Sequence, residues 1–339
     1  MVIDFKNLNI NELNPETEFE KKIKKFLEEW FSDSLTVKVQ TSGSTGQPKV
    51  FEIEKNKMIN SAVMTCNFLG LKDGDTALLC LPVEYISGKM MIVRSIERKL
   101  KLKVADLSLK PIKNLEEEIV FCAMTPLQVE NSLDKLSLIK NLIIGGAAVS
   151  ESLKRRISGL QTRIYETYGM SETLSHIALK QLAPQSQEYF TIFENVSIDT
   201  DERGCLTIVA PNVNTEKLQT NDLVEIKNEK QFRFLGRVDN VINSGGAKIF
   251  PEELEAVVKK EIPNEIVFLG IQDESLGQKL IAVIEGESAK EIENMIMKLD
   301  FKKNFHKPKE IIFIDRIPRT PNGKISRREL LERIINTNR

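Results

Sequence analysis

Histidine is nearly missing from this chain. Two occur in 339 residues, His176 and His306, which argues against a His-based metal centre. The four cysteines (Cys66, Cys80, Cys122, Cys205) lie far apart with no C-x-x-C pair, which argues against a disulfide framework and reads as reduced thiols of a cytoplasmic protein. Neither sign of charge dominates: 48 basic and 49 acidic side chains leave a formal net charge of −1, so no nucleic-acid partner held by bulk charge is expected. No apolar run reaches the length of a membrane span. The first ten residues, MVIDFKNLNI, lack the basic-then-apolar pattern of a secretory signal. Internal repeats and low-complexity tracts are absent as well.

What remains is an ordinary globular balance, 41% hydrophobic and 29% charged, in a chain long enough for two domains. Apolar positions at three-to-four spacing predict a helix over 15–31, with Asn14 as cap and Pro15 in the first turn. Strands are expected at 35–39 and 50–54. From there helices (56–69, 86–98, 125–136, 150–160) alternate with strands (76–83, 102–107, 119–124, 141–146, 163–169), predicting an α/β sheet with parallel strands. The last third reads differently: two short strands around a turn over 232–246, a helix over 251–260, a strand pair (265–270, 279–286), a helix over 289–299 and a strand over 309–315. This is a smaller α+β domain, and the boundary is placed near Gly236 to Asn240.

One loop is built for an anion. Residues 40–55 read QTSGSTGQPKVFEIEK. Gly43 and Gly46 let several N–H groups face one point, Thr41, Ser42, Ser44 and Thr45 add hydroxyl donors, and Lys49 adds a point charge. A nucleotide P-loop is excluded on spacing, because Gly43 plus five is Pro48 and no Ser or Thr follows Lys49. It is excluded on context too, because the loop joins two strands. Read alone, the stretch could equally be a polar hairpin loop.

Four further stretches follow it in order: IIGGAAV (143–149), YETYGMSET (165–173), TNDLVEI (220–226) with FLGRVDNVINSGGAKIFPEELE (234–255), and PRTPNGKISRREL (318–330). With the loop they resemble the signature segments of the adenylate-forming superfamily, which holds acyl-CoA synthetases, luciferases and peptide-synthetase adenylation domains. The resemblance covers nearly the whole chain from residue 35 onward. Within that superfamily, residues 81–96 and 166–179 are most similar to the o-succinylbenzoate–CoA ligases of menaquinone biosynthesis.

The resemblance implies an acid–thiol ligase that uses ATP, Mg²⁺ and coenzyme A. It divides the chain into an ATP- and acyl-binding domain (1–236), a hinge (237–240) and a small mobile domain (241–339). Thr41 to Gly46 and Lys49 would hold the β- and γ-phosphates, with Ser171 keeping a phosphate contact where the family usually has Thr. Glu172 would ligate Mg²⁺. Gly146 and Ala147 would lie beside adenine, Glu166, Thr167 and Tyr168 would belong to the ATP-binding residues, Asp222 would accept the ribose hydroxyls, and Arg237 would pair with ribose or phosphate. Lys324 would stabilise charge on the α-phosphate during adenylation, and Asp239 would be the hinge position. Asn243, Ser244, Gly245, Gly246 and Lys248 would meet coenzyme A. The acyl pocket is placed at Tyr85, Ser87, Lys89, Arg94, Gly146, Gly169, Thr173 and His176. The substrate of this branch is a dicarboxylate, so one cation should meet the carboxylate that does not react, with Lys89 and Arg94 as candidates. Their five-residue spacing on a helix does not put both on one face, so one of the two is expected to point inward.

Three departures stand out. The signature loop comes about forty residues in, implying a large domain shortened at its N-terminus, whose exposed surface a homodimer could cover. Val50 stands where Gly is usual, and Tyr85 where many relatives have His. Two other functions stay open: an activator of aryl or fatty acids that delivers to a carrier protein, and an inactive member kept as a binding protein.

Overall fold

The computed structural model describes residues 1–40, 50–301, 303–319 and 325–337. The chain forms two compact units. The first comprises Met1–Ile198, Ile208–Leu218 and Lys227–Phe232; the second comprises Asp199–Thr207, Gln219–Ile226 and the chain from Arg233 onward.

The first unit carries strands β1 (Val2–Asp4), β2 (Thr36–Gln40), β3 (Val50–Glu54), β4 (Thr76–Leu79), β5 (Lys101–Val104), β6 (Ile119–Met124), β7 (Ile139–Ile144), β8 (Arg163–Gly169), β9 (His176–Ala183) and β10 (Phe190–Ile192). Its helices are α1 (Glu18–Trp30), α2 (Lys55–Leu69), α3 (Ile86–Glu97), α4 (Pro126–Glu130) and α5 (Glu151–Ile157). Strands β4 to β8 pair in parallel in the order β5-β4-β6-β7-β8. β1 joins β5 antiparallel, and β9 and β10 continue antiparallel from β8. β2 and β3 form a separate antiparallel ribbon.

The central parallel strands β4 (TALL), β6 (IVFCAM) and the second half of β7 (IKNLII) are apolar runs, as strands covered on both faces must be. One core gathers Leu78, Cys122, Leu142 and Ile164 from β4, β6, β7 and β8 against Val129, Leu153 and Ile157 of the following helices. All four cysteines are free and buried. The strand order reverses at β4: the chain steps to β5 on one side and then to β6 on the other. Such a switch point opens a crevice at the carboxyl ends of the two strands, where ligands of open α/β sheets bind.

Local chemistry corrects two sequence expectations. α1 starts at Glu18, three residues after Pro15, because Thr17 and not Asn14 caps it. The Thr17 hydroxyl accepts the Glu20 N–H while the Glu20 carboxylate accepts the Thr17 N–H, a reciprocal capping box. The helix expected over 125–136 stops after Glu130, and a 3₁₀ turn (Leu133–Leu138) follows. There the Asn131 side chain takes the Leu127 carbonyl and the Ser132 N–H takes the Val129 carbonyl, which ends the α ladder. α2 ends as expected, at Gly70 with φ +65°.

The second unit holds residues of β11 (Ser197–Thr200), β12 (Cys205–Ala210), β13 (Asn214–Asn228) and β14 (Gln231–Arg237), neighbours in the order β14-β13-β12-β11. Its other sheet contains β15 (Ile242–Ser244), β16 (Ala247–Ile249), β17 (Ile266–Asp273), β18 (Gly277–Glu285) and β19 (Glu310–Ile314), with α6 (Pro251–Val258), α7 (Lys290–Lys298) and α8 (Arg327–Thr337). Alternate residues of β17 and β18 feed two cores. Ile266, Phe268, Leu280, Ala282 and Ile284 pack with Leu254, Val258 and Ile296. Val267, Leu269, Ile281 and Val283 pack with Leu330 and Ile334. A sheet sandwiched between helices follows from that period-two alternation.

α3 is fixed at the crevice by a backbone contact. A Cβ added at Gly88 would lie 2.2 Å from the Pro82 carbonyl oxygen and 2.7 Å from that of Leu81. Only glycine lets the helix approach the segment after β4 so closely. Gly88→Ala is therefore expected to lower stability by roughly 2 kcal/mol, measured as a fall in denaturation midpoint with unchanged slope; an unchanged midpoint would show that the segment yields freely.

Candidate active site

In the first unit the loops at the carboxyl ends of β4, β7 and β8, together with α3, carry most of the expected site. Thr41, Ser42, Gly43, Ser44, Thr45, Gly46 and Lys49 lie outside the described residues. Their flanks are placed: Gln40 pairs with Val50, and the Gln40 N–H donates to the Glu84 carbonyl at 3.1 Å, beside Tyr85. The ribbon is thus pinned to the segment that follows β4.

After β7 the chain turns through Gly145 and Gly146. The Gly145 N–H donates to the Met124 carbonyl at 3.1 Å, and a Cβ there would stand 2.9 Å from Thr167 Oγ1. Gly146 takes φ +87°, open to glycine. Gly146 is exposed, and Ala147 and Thr167 are half-buried. The side chains of Glu166 and Tyr168, expected among the ATP-binding residues, make contacts within the fold. Tyr168 packs edge-on to Phe232 with ring centroids 4.9 Å apart. Glu166 is buried, pairs with Lys180 Nζ at 2.8 Å and accepts the Val149 N–H at 3.1 Å. Burial pushes its carboxyl upward, but Lys180, Lys154 and the Val149 N–H outweigh burial and hold it below the ordinary carboxylate range. The backbone of β8 is thereby fastened to β9 and to the segment after Gly146.

Beyond β8 the chain makes a tight turn around Thr173. Its hydroxyl accepts the Met170 N–H at 2.9 Å and lies 2.8 Å from the Ser175 carbonyl. A Cβ at Gly169 would sit 2.4 Å from that same carbonyl. This turn presents Ser171 and Glu172 outward. The Glu172 carbonyl accepts Asn214 Nδ2 at 3.0 Å, while its carboxylate makes no ion pair among the described residues. One exposed carboxylate fits Mg²⁺, which keeps several waters and takes its other oxygens from a substrate's phosphates. No group of three or more His, Cys, Asp or Glu capable of holding a metal by themselves occurs among the described residues.

On the acyl side, Lys89 and Arg94 do not share a face of α3. Both are buried, at 7% and 2% exposure. Their roughly 140° separation around α3 sends them to different surroundings. Lys89 Nζ lies 4.2 Å above the Phe26 ring of α1, with burial lowering its pKa. Arg94 Nη2 donates to Ser175 Oγ at 3.2 Å, next to the turn after β8. No carboxylate pairs with Arg94 among the described residues, and its buried Nε has no partner. Burial lowers its pKa to about 10, so the guanidinium remains charged at neutral pH. His176 is buried beside it, with Nε2 3.1 Å from Thr65 Oγ1. Tyr85 is half-buried at the start of α3, and Ser87 is exposed.

Sequence reasoning missed Ser175, Thr65 and Ser61. The signal was available: Ser61 and Thr65 stand four apart on the face of α2 that also carries Met58, Ala62, Cys66 and Leu69. Two hydroxyls on an apolar stripe mark a buried polar contact.

The second unit brings together three further candidates. Arg237 Nη2 donates to Asp239 at 2.8 Å and Nη1 to Asp222 at 3.5 Å. Asn221 Nδ2 reaches both Asp239 oxygens at 3.2 Å. The Arg237 hydrogen bond, with help from Asn221, holds Asp239 below the usual range although it is exposed. Asn243 and Ser244 run in β15, Lys248 in β16, and Gly245 (φ +57°) and Gly246 (φ +80°) make the two-residue turn between them. Asn243 and Lys248 are exposed and Ser244 is buried. Lys324 lies outside the described residues; its flanks meet where Arg319 bridges Ile325 and the Ser326 N–H donates to the Pro318 carbonyl at 2.9 Å.

Replacing Lys180 by Met leaves Glu166 buried without its ion-pair partner, and should cost roughly 3 kcal/mol at neutral pH. Because the folded pKa of Glu166 is depressed, the pair's contribution is present above the unfolded carboxylate value of about 4.3 and is lost as pH falls through the folded value. The gap between parent and variant should therefore narrow in acid unfolding curves; a gap independent of pH would refute this assignment.

The family described as AMP-binding enzyme matches residues 1–192. The 2-succinylbenzoate–CoA ligase of Geobacillus sp. (strain WCH70) is 27% identical over 349 aligned positions, spanning 90% of this chain and 70% of that protein. The 2-succinylbenzoate–CoA ligase of Lactococcus lactis is 25% identical, over 88% of this chain and 71% of that protein. Among solved structures, an acyl-CoA synthetase (AMP-forming)/AMP-acid ligase II-like protein from Dyadobacter fermentans is 34% identical, with a TM-score of 0.66 over 96% of this chain and 97% of that one. The o-succinylbenzoate coenzyme A synthetase of Bacillus subtilis, solved with ATP and magnesium ion, shares the fold at 22% identity, with a TM-score of 0.72 over 87% of this chain and 69% of that one. No helix among the described residues is long and apolar enough to cross a membrane.

Proposed function

The chain belongs to the AMP-binding enzyme family, and from that premise we propose that it is an ATP-dependent carboxylate–CoA ligase that converts 2-succinylbenzoate to its CoA thioester, a step of menaquinone biosynthesis. The observation that carries the choice of acid is Arg94, a buried and charged guanidinium with no carboxylate partner among the described residues. A charge taken out of water needs an anion or a full set of acceptors. A dicarboxylic substrate supplies the anion: one carboxylate reacts, and the other meets Arg94.

The chemistry runs in two displacements. A carboxylate oxygen of the acid attacks the α-phosphorus of ATP, and the bond to the pyrophosphate oxygen breaks. The sulfur of coenzyme A then attacks the acyl carbon, the bond to AMP breaks, and the thiol proton leaves to solvent. Glu172 would hold Mg²⁺, which neutralises phosphate charge as pyrophosphate departs. The 41–49 loop would cradle the β- and γ-phosphates, and Lys324 would face the α-phosphate. Gly146 and the backbone of 166–168 would receive adenine, and Asp222 would accept the ribose hydroxyls. Residues 1–236 would form the ATP- and acyl-binding domain and 241–339 a small mobile one, turning about Asp239 so that Asn243 to Lys248 replace Lys324 for the thiol step. A cytoplasmic setting suits four unpaired thiols, and a homodimer remains the natural test by light scattering.

Purified protein with ATP, Mg²⁺, coenzyme A and 2-succinylbenzoate should give the CoA thioester and AMP by mass spectrometry. Lys324→Ala should lose both. Arg94→Leu should raise the KM for 2-succinylbenzoate by more than about tenfold, the order expected for a charge-assisted contact. Acyl-adenylate without thioester would point to a carrier-protein acceptor, and no adenylate from this acid would overturn the substrate.

A further inference from the structure

Arg94, Ser175, His176, Thr65 and Ser61 form one continuous hydrogen-bonded row across α3, the turn after β8, the start of β9, and α2. Arg94 Nη2 donates to Ser175 Oγ at 3.2 Å. Ser175 Oγ stands 3.4 Å from His176 Nδ1, the longest link. His176 Nε2 is 3.1 Å from Thr65 Oγ1, which is 3.1 Å from the Ser61 carbonyl.

The two ends of the row fix its direction. A guanidinium can only donate and a carbonyl can only accept. Each hydroxyl carries one proton, and a neutral ring carries one N–H. All four contacts are hydrogen bonds only if Ser175 donates to Nδ1, the ring donates from Nε2 to Thr65, and Thr65 donates to Ser61. The reverse tautomer leaves the Ser61 contact unmade. A second proton on the ring would turn Ser175 into an acceptor from both sides and place an imidazolium beside the buried Arg94 charge, one hydroxyl away. Burial, and then the Arg94 charge, push the His176 pKa well below the usual histidine range, in keeping with a neutral ring. The Phe193 ring packs against the imidazole edge-on at 5.5 Å between centroids. Cys66 of α2, the other titratable group near Arg94, is a buried thiol pushed upward by burial. One positive charge therefore stands at this end of the site.

We infer that Thr65 and Ser175 are positioning residues for the spectator carboxylate: they lock His176 as the neutral Nε2–H tautomer and so aim the Arg94 guanidinium, setting the preference for a dicarboxylic acid. This rests on the role of Arg94 proposed above. Thr65 touches no reacting atom and acts through three intervening groups. Without its hydroxyl the ring loses the acceptor for Nε2–H and turns over to Nδ1–H. Ser175 then receives a donor from the ring, and its hold on the guanidinium weakens.

The chain has only two histidines, so His306→Gln leaves His176 as a single imidazole signal in ¹⁵N-labelled full-length protein. In that background the parent ring should show the neutral Nε2–H pattern, and Thr65→Val should lose it. Kinetically, Thr65→Val should raise the KM for 2-succinylbenzoate about tenfold with kcat within about twofold. The KM for 3-benzoylpropionate, the same skeleton without the ring carboxylate, should not move. Thr65→Ser should restore both the tautomer and the KM, and Ser175→Ala should repeat the KM effect. A Nδ1–H ring in the parent, or equal KM changes for the two acids, overturns the inference while leaving the proposed function standing. A parent that makes no 2-succinylbenzoyl-CoA overturns the proposed function and this inference with it.

Discussion

A guanidinium stripped of water constrains everything packed around it. Arg94 sits at 2% exposure, and its charge is met by the hydroxyl of Ser175 rather than by an acid. A carboxylate at that point would neutralise the site and leave it indifferent to a ligand. A chain of dipoles instead keeps the charge available while satisfying one edge of the fork. That arrangement requires α2, α3 and the turn after β8 to converge. The convergence in turn requires Gly88 to let α3 approach Pro82, and Gly169 and Thr173 to fold the turn back on the Ser175 carbonyl. Three glycine or hydroxyl positions that look incidental in sequence are thus fixed by one buried charge.

The sequence disclosed the parallel sheet well, because its central strands β4 and β6 are covered on both faces and read as apolar runs between helical segments. It disclosed the two-faced sheet of the second unit for a related reason: β17 over 266–269 and β18 over 280–284 are unbroken apolar runs, and both faces find helices. The strands between His176 and Phe232 were not assigned. Asn214–Asn228, a fifteen-residue strand, reads NTEKLQTNDLVEIKN and shows too little alternation to stand out. The start of α1 was misplaced because Pro15 is a strong local signal, yet the Thr17–Glu20 capping box supplies more hydrogen bonds than Asn14 does.

For the site, motif spacing found the loops but not the division of labour within them. Glu166 and Tyr168 lie in a signature segment, and their side chains are spent on ion pairing and ring packing while their backbone faces the ligand side in the proposed reading. Spacing alone separated Lys89 from Arg94 and left open that both are buried. A 140° offset, roughly that expected for five residues of helix, excludes a shared surface face but not burial against two different neighbours, α1 and the turn after β8. Thr65 and Ser61 carry no motif at all, because their role is set by what packs against α2 rather than by their chain neighbours.

The backbone contact at Gly88 has a consequence for how such a pocket can change over time. At Gly88, α3 meets Pro82 and Leu81 main chain against main chain, a contact that involves no side chain of the acyl end. Tyr85 and Ser87 hang from a frame that this contact holds whatever their identity. Lineages can exchange those side chains, and with them the acid that is accepted, while the helix keeps its seat and the nucleotide machinery keeps its register. Diversity of substrate is in this sense a property of the scaffold's rigidity, written into one residue that has no side chain of its own.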